Sequence, residues 1–213
     1  MKKFIISSLI SLTLAGNLYA GDYHSSVNKD IRAIAGEKVS SMSSVNGDIE
    51  VGKGAKVGEI DSVNGDIEIS SNATIKNIDS VNGDIEISTN VIISNDIDTV
   101  NGDVEVKKGS EISGNINSVN GDLDLSRTIV KGDVQVVDSD VTFVDGTVIE
   151  GDFIVKKNNS NGFFGMFSGS SKKQKIIIGK NVVIKGKIIF EKAVNLELDD
   201  SAKITEIDYA YKQ

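Results

Sequence analysis

The chain has 213 residues, a formal net charge of −8, one His, 21 Gly, and no Cys, Pro or Trp. Without Cys there is no disulfide, no thiolate zinc site and no Cys nucleophile. The acidic balance argues against nucleic acid, whose binding rests on neutralising phosphates with Lys and Arg.

Residues 1–20 read as a secretory signal peptide: Lys2 and Lys3 open it, "FIISSLISLTL" follows, and "LYA" ends on the small Ala20. The apolar run is shorter than a bilayer span requires. No Cys follows it, so no lipid anchor is expected. The expected mature chain begins near Gly21 and is exported to the periplasm or cell surface. The single His, His24, reads as part of a frayed terminus rather than a catalyst.

From residue 27 onward the sequence repeats. "SVNGDIEIS" occupies 62–70 and again 80–88, with near copies starting at 44, 99 and 118. Aligned on the Val before Asn-Gly, residues Val45, Val63, Val81, Val100 and Val119 are separated by 18, 18, 19 and 19 positions. Val27 heads a degraded copy, Val137 and Val155 continue the register, and "KIIIGKNVVIKGKI" and Phe190 to Ile207 complete nine units. A fixed period of this size implies a solenoid.

Each unit divides again by three. Val45, Val51, Val57, Val63, Ile69 and Ile75 lie six apart, with single-residue additions expected near Thr99 and Ser118. Period six is neither the 3.6 of a helix nor the plain 2 of a long strand. It predicts an all-β, single-domain parallel β-helix over 21–213, three-sided and right-handed, of about nine coils of 18–19 residues. The hand follows the general crossover preference. Coils about 4.8 Å apart give a rod roughly 40 Å long. Each stacked Val or Ile contributes roughly 1.5–3 kcal/mol by burial. No coil can bury its own face, so stability arises between neighbours.

Polar side chains also fall into columns. Asn28, Asn46, Asn64, Asn82, Asn101 and Asn120 are placed to form an amide ladder. Asp48, Asp66, Asp84, Asp103 and Asp122 make an acidic column, and Glu50, Glu68, Glu86, Glu105 and Asp124 another. Oxygen-rich ladders suit Ca²⁺, which makes the first column the candidate cation site. The competing reading is that each Asp caps a turn through nearby backbone N–H groups. No catalytic residue and no cofactor are expected.

The "VNGDIEI" phrases resemble the adhesin-type β-strand-repeat families of unknown function found in bacterial envelopes. "VKGDVQV" at 130–136, "VIEGDFIV" at 148–155 and "VIKGKIIF" at 183–190 resemble bactofilins. That second resemblance implies polymer formation, but bactofilins are cytoplasmic and this chain opens with an export signal. The hexads also resemble the left-handed β-helix of hexapeptide acyltransferases, whose catalytic His has no counterpart in any coil here.

The stretch "KKNNSNGFFGMFSGSSKKQK" at 156–175 interrupts the pattern. Phe163, Phe164, Met166 and Phe167, with Lys172 and Lys173, are the candidate contact residues. Clustered apolar side chains on a loop mark a contact, and flanking lysines suit an anionic surface. The loop either meets an envelope protein or a membrane surface, or folds back onto the rod. Open strand edges at the rod ends invite a homo-oligomer. The expected role is an exported, non-enzymatic scaffold or adhesive module of the cell envelope. The alternatives are a self-assembling bactofilin-like protein and a carbohydrate-binding or carbohydrate-active β-helix.

Overall fold

Strands in the described residues pair only in parallel, each with the strand one coil away; the structure, a computed structural model, describes residues 22–158 and 173–211. They contain no helix and wind into a β-solenoid of about nine turns. Each turn has three faces. The first face is a nine-stranded sheet running from Ile31–Ala33 through Ile49–Val51 and Ile67–Ile69 to Val194–Leu198. The second and third faces join in a 14-stranded sheet.

The joining changes along the rod. In the early coils one nine-residue strand serves both faces: Lys38–Asn46, Lys56–Asn64 and Thr74–Asn82. From Ile92–Ile93 and Ile97–Asn101 to Val148–Ile149 and Phe153–Val155 the strand is split in two, and in the last coils Val183–Phe190 and Lys203–Tyr209 each span both faces again. Ile75 pairs with Ile93, but Ile78 pairs with Ile97. The added residue therefore lies in the corner at 94–96, and its equivalent in the next coil at 113–115, not near Thr99 and Ser118. That longer corner interrupts the strand with a bend where the earlier coils run on as unbroken strand.

Each coil points two residues per face inward. In one coil these are Ile49 and Val51, Ala55 and Val57, and Ile60 and Ser62. The six-residue spacing holds on two faces: Val51, Val57, Ile69, Ile75, Ile87 and Ile93 are buried. It fails on the third, where Val45, Val63, Val81 and Val100 are only half-buried on the outer side. The interior row there is Ser44, Ser62, Ser80, Thr99 and Ser118. Successive side chains of a strand point to opposite sides, so Ile60 inward fixes Ser62 inward and Val63 outward. The Ser62 hydroxyl also donates to the Gly65 carbonyl at 3.2 Å, within the corner itself. Where the Asn-Gly-Asp corner is absent, the same interior column takes Val136, Val155 and Phe190.

Aromatic rings occupy the core toward the C-terminal end. Phe143 meets Phe153 edge-on at 5.0 Å between centroids, Phe153 meets Phe190 at 6.4 Å, and Phe190 meets Tyr209 at 5.6 Å. The edge-on pairing of Phe153 with Phe143 and with Phe190 adds to the burial energy of these three rings.

Both ends leave apolar side chains exposed, Tyr23, Val27 and Ile34 at the N-terminal end among them. His24 lies in the first strand, Tyr23–Ser26, in register with Met42, so it is not a frayed residue. Its Nε2 sits 3.2 Å from Glu37 Oε1, and Glu37 Oε2 accepts the Ile34 N–H at 2.6 Å. This polar pair lies at the N-terminal end of the core. At the other end, Leu198 and Tyr209 of the last coil are 44% and 48% exposed.

Candidate functional site: the ladder corner and the root of the insertion

The phrase Asn-Gly-Asp forms the corner between the third and first faces. Its glycines stack: a Cβ added to Gly65 would lie 2.3 Å from the Gly47 carbonyl oxygen, closer than any real contact. Only Gly lets adjacent coils approach this closely at the turn. The N–H groups of Gly47, Gly65, Gly83 and Gly102 in turn donate to the Asn carbonyl of the next coil, as Gly65 does to Asn82 at 3.1 Å.

Both flanking side chains bridge coils. Asn46, Asn64, Asn82, Asn101 and Asn120 each donate Nδ2 to the Oδ1 of the Asn one coil earlier, at 2.8–3.0 Å. The column ends on Asp138, which accepts from Asn158 at 3.1 Å and from Lys192 at 2.6 Å. Asp48, Asp66, Asp84 and Asp103 each use Oδ1 to accept the backbone N–H of the next Asp in the column, at 2.7–2.9 Å. The five candidate cation ligands thus stand in one column, joined by hydrogen bonds that cap the turn. Burial, then Asp103, Asp140 and Asp124, raise the Asp122 carboxyl above its ordinary range. Among the described residues, no group of three or more His, Cys, Asp or Glu side chains is arranged to hold a metal ion.

Two features of this kind were not anticipated from the sequence. A second ladder runs down the corner between the second and third faces. There Asp96, Asn115, Asp133 and Asp152 accept the backbone N–H of Asn115, Asp133, Asp152 and Lys187, at 2.6–2.9 Å. Its signature is a Gly followed by Asp or Asn at 114, 132 and 151, which echoes the better-marked corner. The other feature is a carboxylate column on the outer side of the third face: Asp61, Asp79 and Asp98, in register on neighbouring strands. Each stands two residues before a repeat Val, and that constant offset was the available signal.

The insertion leaves after Phe153–Val155 on the third face and returns as Gln174–Ile178 on the first, so it grows from the ladder corner. Its root is held firmly. Lys156 Nζ and the Lys157 N–H both bond Glu191, at 3.1 and 3.2 Å. Gln174 donates to the Val137 carbonyl at 2.9 Å, and the Lys175 N–H donates to Asp140 at 2.8 Å. Lys173 is exposed beside it. Phe163, Phe164, Met166, Phe167 and Lys172 lie outside the described residues.

No family model, curated protein or solved structure matches the chain.

Proposed function

We propose that the chain is an exported, non-enzymatic scaffold that displays the 156–175 insertion as an adhesive or interaction module of the cell envelope. The observation that carries this reading is the root of the insertion. A segment rich in Phe and Lys is clamped at both sides to a corner that elsewhere runs as an unbroken ladder. Charged and amide groups along that corner are committed to bonds between coils, which stiffens the support. A stiff base limits the motion of what it carries, and so lowers the entropy lost on contact.

The test is capture from envelope extracts and from anionic vesicles. Replacing Phe163, Phe164 and Phe167 together by Ser is expected to abolish capture while leaving the melting temperature unchanged. Undiminished capture by that variant removes the insertion from the contact.

The terminal coils favour a second reading, end-to-end self-association through the rod ends. Leu198 and Tyr209 are exposed in the last coil, and Tyr23 and Ile34 are exposed in the first. Exposed strand edges with apolar side chains pair readily. Sedimentation at rising concentration should show association that Leu198→Lys with Tyr209→Lys abolishes. A wild-type chain that stays monomeric throughout rejects it.

A further inference from the structure

The outer side of the third face carries charge in an arrangement that the corner ladders avoid. Register places Asp61 beside Asp79 and Asp79 beside Asp98. Strand spacing then sets the three carboxylates about 4.8 Å apart. Backbone N–H groups serve the corner aspartates but not these. Their donors are side chains: Ser43 to Asp61 at 3.4 Å, Asn77 to Asp79 at 2.6 Å, and Asn117 to Asp98 at 2.6 Å. All three are half-buried.

The charges that act on these three carboxylates are negative. Glu59 stands on the strand of Asp61, and Asp96 just precedes the strand of Asp98. Lys76, on the strand of Asp79, pairs with Glu59 at 3.2 Å. Among the described residues no ion pair reaches Asp61, Asp79 or Asp98.

We propose that the Asp61–Asp79–Asp98 column is a proton-operated clamp, which takes up protons as pH falls below neutrality and binds the middle coils more tightly together. A protonated carboxyl can donate to the carboxylate of the next coil, so a repulsive row becomes a hydrogen-bonded one. Burial first, and then Asp98 and Asp61, push Asp79 up to about 7 from its ordinary 3.8. Burial and Glu59 raise Asp61; burial raises Asp98, with Asp96 adding to it against the Asn117 bond.

The sign follows from linkage. Below about pH 4 the folded and unfolded chains both hold the proton, and the stabilisation by the protonated column is fully present. Between about pH 4 and 7 the unfolded chain has released it while the folded chain keeps it, so stability falls as pH rises. Above about 7 the loss is complete. This inference is independent of what the insertion binds.

The experiment is thermal unfolding of the full chain from pH 5 to 8 at constant ionic strength. Wild type should melt about 3–6 °C lower at pH 8 than at pH 5, a range that allows for solvent screening of half-buried groups. Asp79→Asn should melt higher than wild type at pH 8 and lose most of the pH dependence. Glu68→Gln, exposed on the first face, should follow wild type. An Asp79→Asn chain with the full wild-type pH dependence overturns the proposal. So does a carboxyl ¹³C titration of wild type in which Asp79 has its midpoint below 5, a reading that needs no variant to fold.

Discussion

Gly83→Ala is expected to abolish the cooperative unfolding transition, or to cost about 4 kcal/mol or more, the range reserved for severe backbone and core disruption. Gly83 has φ +128°, a conformation L side chains rarely adopt. An added Cβ would stand 2.2 Å from the Gly65 carbonyl oxygen and 2.6 Å from its carbon. Both atoms are backbone of the neighbouring coil, so no rotamer change relieves the clash. Relief requires the coils to part. That would break the Gly65 N–H bond to Asn82 and the Asp84 N–H bond to Asp66. Gly54→Ala is the control. Gly54 has φ +69° but nothing within 4 Å of its added Cβ. It should cost only the left-handed penalty of about 1–2 kcal/mol. Urea unfolding of both variants decides the matter, and equal losses would show that coil-to-coil approach is not what demands Gly.

Phe153→Ala is expected to cost about 3–5 kcal/mol, as for deletion of any fully enclosed aromatic side chain. Phe153 has no exposed surface and packs between Phe143 and Phe190. Removing its ring leaves a void facing two coils at once. A solenoid is held by nearest-neighbour contacts, so the damage should stay local and split the unfolding into two steps. The coils after Phe153 should lose amide-exchange protection before those around Ile67 and Ile85. Phe153→Leu, which keeps much of the volume, should lose under about 1.5 kcal/mol. Uniform loss of protection along the whole rod would contradict this picture.

The architecture was readable because the columns repeat identical letters. Asn46, Asn64 and Asn82 stack as the repeat predicts, and Val51, Ile69 and Ile87 are buried as the spacing requires. The third face misled because Val45, Val63 and Val81 satisfy the period without facing inward. Hydropathy alone favours Val over Ser for the interior. Strand parity, set by Ile60 and Ile78 entering the core, overrules it. The Asp61 column was legible as a repeat, but its consequence was not. Its effect depends on which side of the strand it occupies and on how much its neighbours cover it. The candidate contact residues of the insertion rest on composition, whereas the anchoring of its root by Glu191, Asp138 and Asp140 needed coordinates to be seen.

Identical phrases carry a hazard that the uneven corners remove. Since residues 62–70 and 80–88 are the same, a folding chain could skip a turn there, looping out 18 residues and laying the later copy where the earlier belongs. Loop closure alone resists this weakly, since its cost grows only slowly with length. The change from an unbroken Thr74–Asn82 strand to the split pair Ile92–Ile93 and Ile97–Asn101 acts as a keyed joint. A skip across it would set a kinked rung against a smooth one and misplace every rung beyond. Near-identical building blocks thus acquire unique addresses, and the length of the finished object is counted correctly by its own irregularity.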